Sequence, residues 1–254
     1  MKQAAGKVYL VGAGPGAPDL LTLRGAEILS RAEIVFHDAL VHPDVLARAT
    51  RAEKVAVGKR CGKFTTAQQF INKRLVDAAR KFGVVVRLKG GDPMLFGRAQ
   101  EEIAALEAAG VPYEVVPGVT SALAAAAEAG VSLTQRGIAR TVAFVTPRIG
   151  EGEAPSNWAS SAASADTAVI YMGAGQAEQV AAALIAAGAP RGTPVLVAEN
   201  ATLPQARRIA LTLEELPQVA YYGITGPTLI MVGGAFAAAL AASEREAQRK
   251  TAQS

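Results

Sequence analysis

The sequence predicts an α/β protein of two domains, on three observations. Short β-branched runs alternate with alanine- and leucine-rich stretches of helical spacing, the order that builds largely parallel sheets. The alternation restarts after Gly118. The 254 residues, 50% of them hydrophobic, supply apolar material for two cores. The expected boundaries are an N-terminal α/β domain over 1–118, a C-terminal α/β domain over 119–242 and a polar tail over 243–254.

Lys7–Val11, Glu33–His37, Lys54–Val57, Val84–Lys89 and Tyr113–Val116 read as strands, since Val, Ile, Tyr and Phe fit a pleated, buried surface. A helix over Thr22–Arg31 follows the first. Thr65-Thr66-Ala67-Gln68 has the spacing of a capping box, after which Phe70, Ile71, Leu75 and Val76 share a helical face until Gly83 stops it. Gly97–Ala109 is the next helix. In the second half, Thr141–Thr146, Thr167–Tyr171, Pro194–Ala198, Arg208–Thr212 and Thr228–Val232 are strands, and Gln176–Ala187, closed by Gly188, is a helix. Gly150–Ala165 is expected to be a loop or lid, with Trp158 as a packing residue, and Ser243–Ser254 a frayed helix. The alanine-rich runs 122–129 and 236–242 fall short of the roughly 18–20 residues of a membrane span and read as packed helices.

Lys and Arg outnumber Asp and Glu by 26 to 22, a mild excess that suits a polyanionic small molecule better than nucleic acid. Aromatic residues are only 5%, and no stacking motif accompanies them, so no nucleic-acid partner is expected, and with apolar runs this short no membrane partner is expected either. The single cysteine, Cys61, cannot form an internal disulfide, and no basic segment with an apolar signal core opens the chain, so the cytoplasm is the expected compartment. His37 and His42 lie in no metal-ligand spacing, and no metal is expected.

Two strands run into glycine- and proline-rich loops. Val8–Val11 leads into Gly12-Ala13-Gly14-Pro15-Gly16-Ala17-Pro18, and Val84–Lys89 ends at Gly90-Gly91-Asp92-Pro93. Gly12-x-Gly14-x-x-Ala17 matches a relaxed dinucleotide fingerprint, with Asp38 at the end of the next strand as its acidic partner. An NAD-binding oxidoreductase is therefore one reading. Pro15 and Pro18 oppose it, because they interrupt the strand-to-helix turn that would set a pyrophosphate on a helix N-terminus. Gly58-Lys59-Arg60-Cys61-Gly62-Lys63-Phe64 lacks the spacing and the Ser or Thr of a nucleoside-triphosphate loop. A ligand held by several such loops without a phosphate motif is recognised through backbone N–H and C=O groups, and S-adenosylmethionine is one that suits.

Taken in order, Val11-Gly12-Ala13-Gly14-Pro15-Gly16, Asp38-Ala39-Leu40-Val41, Val57-Gly58-Lys59-Arg60, Arg87-Leu88-Lys89-Gly90-Gly91-Asp92-Pro93, Phe96-Gly97-Arg98 and Val116-Pro117-Gly118-Val119-Thr120-Ser121 closely resemble the tetrapyrrole methylases. Within that family the nearest branch methylates uroporphyrinogen III. Tyr171-Met172-Gly173 and Gly226-Pro227-Thr228 extend the resemblance through the second half.

The resemblance implies a two-domain α/β homodimer with a ligand cleft between the domains. The methyl donor would be S-adenosyl-L-methionine, leaving as S-adenosyl-L-homocysteine, and methylation at C2 and C7 would yield precorrin-2 for sirohaem, cobalamin or haem d1 routes. Other branches act on later corrin precursors such as precorrin-4. Carried over by position, the donor would be held by Pro15, Gly90, Gly91, Asp92, Leu95, Thr120, Ser121, Met172, Ala201, Pro227 and Thr228. Asp38 would accept a proton and Lys59 donate one, since a methylated pyrrole carbon leaves a cation that must lose a proton. Asp38 also reads as an ordinary strand-end turn residue.

Uroporphyrinogen III carries eight carboxylates that need cationic partners. Arg98 and Arg136 are assigned to them, with Arg140, Arg148 and Lys63 also available, and Glu101 orients Arg98 or meets a pyrrole N–H. The chain departs from the family pattern at Ala17, His37, Gln135, Pro147-Arg148 and Ala201. No donor-loop motif is lost by these changes.

Overall fold

The computed structural model describes residues 6–57, 64–150, 152, 154 and 156–251. The chain divides into two compact units, Met1–Ser121 and Ala122–Ser254. Among the described residues, the ten strands lie within one residue of the stretches expected from the sequence, because the β-branched, aromatic and other apolar residues that mark them give way to turn residues or polar helix starts at their ends.

The first unit holds β1 (Lys7–Gly12), β2 (Ile34–His37), β3 (Glu53–Ala56), β4 (Val84–Lys89) and β5 (Tyr113–Val116), paired in the order β3-β2-β4-β1-β5. Every pairing is parallel. A parallel sheet is covered on both faces, which is why β1 and β4 are buried along nearly their whole length. Helices α1 (Leu23–Arg31), α2 (Pro43–Ala47), α3 (Phe64–Ala79) and α4 (Ala99–Ala108) supply the cover. One core joins Val8, Leu10, Phe36 and Val85 to Ile71, Leu75, Ile103 and Leu106 of α3 and α4. The other joins Tyr9, Val11, Val86 and Leu88 to Ile28, Leu29 and Val45 of α1 and α2. The side chains of residues 64–67, including the expected cap, lie outside the described residues.

The second unit takes in α5 (Ser121–Ala129) from its second residue on and contains β6 (Val142–Val145), α6 (Trp158–Ser164), β7 (Thr167–Tyr171), α7 (Ala177–Ala186), β8 (Pro194–Glu199), β9 (Arg207–Thr212), β10 (Thr228–Gly233) and α8 (Ala237–Thr251). Its sheet runs β6-β7-β10-β8-β9, parallel between β6 and β7 and antiparallel elsewhere. Val180, Ala181 and Leu184 of α7 pack one face around Ile170, Val197 and Ile230. Ala122, Ala125 and Ala126 of α5 pack the other around Val169, Leu196 and Met231, with Phe236 among them.

Gly150–Ala165 is not loop throughout, because α6 occupies Trp158–Ser164 within it. Its residues are almost all Ala and Ser, which carry no apolar periodicity, and the helix is anchored by Trp158 packing on the core that contains Val145 and Ala162. Helix α8 runs from Ala237 through Ser243 to Thr251 without a break, on helix-forming Ala, Glu, Arg and Gln. Among the described residues no helix is long and apolar enough to cross a membrane.

Candidate active site

Because all five strands of the first sheet run parallel, their C-terminal ends open on one edge, the edge where ligands bind in open α/β sheets. Ala13–Gly16 follows β1, Asp38 follows β2, Gly90–Asp92 follows β4 and Pro117–Thr120 follows β5. Lys59 was expected at the same edge after β3, but it lies outside the described residues, as does Lys63.

Three of these loops are stitched together. Gly14 and Gly91 exchange backbone hydrogen bonds, Gly91 N donating to Gly14 O at 2.7 Å and Gly14 N to Gly91 O at 3.2 Å. Both have positive φ, +82° and +66°, a conformation glycine adopts without steric cost. Gly12 and Gly118 press backbone to backbone, so that a Cβ on Gly118 would lie 2.3 Å from Gly91 O and 2.8 Å from Gly12 Cα. The Asp92 carboxylate closes the set, Oδ2 accepting from Gly118 N and Oδ1 from Met94 N, each at 2.8 Å. Pro15, Gly90, Gly91, Asp92 and Thr120 are thus gathered on one loop cluster. Leu95, half-buried, sits in the turn after Asp92, and Ser121 is the first residue of α5.

The loop after β1 does not form a dinucleotide cradle. A 3-10 turn at Pro18–Leu20 separates it from α1, whose N-terminus is capped by Thr22 accepting from Gly25 N at 3.1 Å. A loop built from backbone bridges and crowded glycines instead offers N–H and C=O groups at close range, which fits the neutral adenosine and the amino-acid end of S-adenosylmethionine.

Beneath this edge lies a group of buried charges. Val85, Arg87 and Lys89 alternate onto the face of β4 that meets α3 and α4. There Arg87 Nε donates to Glu102 Oε1 at 2.9 Å, Arg87 Nη2 to Asp38 Oδ1 at 2.5 Å, and Lys89 Nζ lies 3.1 Å from both Glu102 oxygens. Gln68 Nε2 of α3 adds a bond to Glu102 at 3.3 Å. Arg87 and Lys89 are 3% exposed and Glu102 is fully buried. Burial works against the Arg87 charge, but Asp38 and Glu102 outweigh it and hold its proton more tightly than usual. Burial, reinforced by the nearby Arg87 charge, pushes Lys89 below the ordinary amine range against the pull of Glu102 and Asp38.

The residues expected to meet the tetrapyrrole are exposed. Arg98 makes a two-pronged pair with Glu101, Nε to Oε1 at 2.6 Å and Nη2 to Oε2 at 2.7 Å, at the start of α4. Arg136 stands at the tip of a tight turn in the second unit, closed by paired bonds between Gln135 and Ala139 at 2.8 Å each way. Arg140 and Arg148 are also exposed.

In the second unit, β7 and β8 end at the sheet edge where antiparallel β10 begins, which places Met172, Ala201 and Pro227-Thr228 at one edge. Glu199, 2% exposed, organises it, with Oε1 accepting from Thr225 N at 2.8 Å and Gly226 N at 2.7 Å and Oε2 accepting from Arg207 Nε at 2.7 Å. Burial raises the Glu199 carboxyl, yet the Gly226 and Thr225 N–H groups and Arg207 overcome it and leave it below the usual range. Asn200 N donates to Pro227 O at 2.8 Å, completing the turn.

Among the described residues, the non-glycine residues with positive φ are Phe96, Arg98, Met172, Asn200 and Thr202, and each is an assigned site residue or lies within two of one. Left-handed backbone outside glycine costs about 1–3 kcal/mol and gathers where function fixes the chain. Sequence reasoning missed Arg87, Lys89, Glu102 and Glu199 as parts of the site. The signal was present for the first two, since two cations at alternate positions of an otherwise apolar parallel strand demand buried partners.

The model of the tetrapyrrole (corrin/porphyrin) methylases matches residues 7–217. Siroheme synthase of Nitrosococcus oceani is 44% identical over 234 residues, 91% of this chain and 50% of that protein. The chain thus spans about half the length of the curated relatives it matches. Uroporphyrin III C-methyltransferase of Thermus thermophilus superposes with a TM-score of 0.81 at 42% identity, covering 92% of this chain and 100% of that one. Its complex with S-adenosyl homocysteine superposes at 0.80 with 41% identity, and covers the same shares. With the motif loops in place at the sheet edge and the family match spanning both units, this chain belongs to the tetrapyrrole methylase family.

Proposed function

We propose that the protein is an S-adenosyl-L-methionine-dependent C-methyltransferase that converts uroporphyrinogen III to precorrin-2 by methylation at C2 and C7. The observation that carries this reading is the stitched cluster of glycine loops at the C-terminal edge of the first sheet, beside the Asp38 carboxylate. It is supported by the Thermus protein, which this chain spans over its entire length.

In this reading Pro15, Gly90, Gly91, Asp92, Leu95, Thr120 and Ser121 hold the donor, and Met172, Ala201, Pro227 and Thr228 are assigned to it by the family pattern alone. When bound, the donor supplies an activated methyl group on a sulfonium, so the protein's work is to hold the reacting atoms in line and away from water. Asp92 acts through the loops it ties. Arg98 and Arg136 bind substrate carboxylates, with Glu101 fixing the plane of the Arg98 guanidinium. Asp38 accepts the proton that the methylated ring loses, and Lys59 is assigned as proton donor.

The protein also forms a homodimer in this reading. Support comes from an apolar groove of roughly 400 Å³ on the second unit, lined by Leu123, Ala126, Ala127, Val131 and Phe144, in which Leu123 and Phe144 are exposed. Light scattering in solution tests that assignment.

The function is tested by calorimetric titration with S-adenosyl-L-homocysteine followed by anaerobic incubation with donor and uroporphyrinogen III. Saturable binding and a rise in visible absorbance are expected. Quenching of nicotinamide fluorescence without S-adenosyl-L-homocysteine binding would return the dinucleotide reading.

A further inference from the structure

A guanidinium buried in the middle of an apolar strand loses its hydration, and a buried charge network contributes little net stability over apolar packing of the same shape. What such a network supplies is a fixed geometry. Arg87 is held on three sides. Nε is bound to Glu102 at 2.9 Å, Nη1 to the Leu88 carbonyl at 3.2 Å, and Nη2 to Asp38 at 2.5 Å. Glu102 is in turn clamped by Lys89 and Gln68, so the planar fork of Arg87 is locked before it reaches Asp38. Asp38 is the one member of the group whose side chain reaches solvent, at 31% exposure, and it stands at the C-terminal edge of the sheet.

We propose that Arg87 is a positioning residue of the methyltransferase, binding Asp38 Oδ1 so that Oδ2 is the oxygen presented to the tetrapyrrole, with Glu102 and Lys89 as its frame. The proposal rests on the reading of Asp38 as proton acceptor. In that step the ring–H bond breaks with its electron pair returning to the methylated ring cation, and an O–H bond forms at Oδ2. Arg87 neither gives nor takes a proton. Its effect is confined to the orientation of the accepting carboxylate.

The test is a cycle of D38N, R87M, R87K and the double variant D38N/R87M, assayed for methylation of uroporphyrinogen III and for S-adenosyl-L-homocysteine binding. R87M is expected to lower kcat by roughly 10- to 100-fold, the range a misplaced catalytic group loses, with KM and S-adenosyl-L-homocysteine affinity within about twofold. R87K, which keeps the charge without the fork, recovers part of kcat. In the D38N background the further loss on R87M is expected to be no more than about twofold, since residues acting as one unit are not additive.

Full multiplication of the two losses would overturn the proposal, because Arg87 would then act without Asp38. Equal loss of donor affinity and melting temperature in R87K and R87M would make Arg87 a folding residue and overturn it too. If R87M does not fold, R87K carries the same cycle. Wild-type kcat in D38N alone would remove the proton-acceptor reading itself, whatever Arg87 does.

Discussion

The Asp92 carboxylate accepts the backbone N–H of Gly118 at 2.8 Å, joining the loop after β4 to the loop after β5. Its other oxygen accepts from Met94 N, so both oxygens hold backbone. Hydrogen bonds to a charged group contribute about 1.5–3 kcal/mol each, and Asp92→Ala should weaken S-adenosyl-L-homocysteine binding by at least about tenfold. Asp92→Asn, which keeps an oxygen for Gly118, should lose less. Calorimetry on the two variants checks the order.

Gly118→Ala should be severe for a different reason. Its Cβ would meet Gly91 O at 2.3 Å and Gly12 Cα at 2.8 Å, and neither is a side chain that can swing aside. Overpacking costs about 1–3 kcal/mol, which corresponds to roughly 2–12 °C in melting temperature for a protein of this size. Gly192→Ala is the control, because nothing lies within 4 Å of its Cβ position. Thermal melts should separate the two cleanly.

Neighbouring glutamates on α4 should behave as opposites. Glu102 is fully buried between Arg87 and Lys89, and breaking such a pair costs about 3–5 kcal/mol, so Glu102→Gln should lower stability sharply. Glu101 is exposed with Arg98, where an ion pair is worth about 0–1 kcal/mol, and Glu101→Gln should leave the melting temperature nearly unchanged. It should instead raise KM for the tetrapyrrole, as should Arg136→Ala, with donor affinity preserved. Urea unfolding and steady-state kinetics on the same preparations test the contrast.

The strands and the donor loops were legible in the sequence because β-branched runs and Gly-Pro loops are local signals. Gly12, Gly14, Gly90, Gly91 and Asp92 were marked before any fold was known. The Arg87–Glu102 pair was not, because its partners are separated along the chain and only the parity of β4 against α4 brings them together. Helix α6 was hidden by its Ala/Ser composition, and Glu199 by a sequence context that looks like an ordinary strand end.

Acid should loosen the second unit through Glu199. Its carboxyl is held below its unfolded value of about 4.3, so the stabilisation is complete above that pH and is lost as pH falls through the lower folded value. Glu199→Gln lacks the titrating group. Its melting temperature should therefore fall less than wild type between about pH 5 and pH 2, a difference that calorimetric melts at stepped pH would show.

Methylation of uroporphyrinogen III is tested by the mass of the product formed anaerobically from it and S-adenosyl-L-methionine. A gain of two methyl groups, with the donor recovered as S-adenosyl-L-homocysteine, is the predicted result. Saturable donor binding with an unchanged tetrapyrrole mass would contradict the assigned substrate.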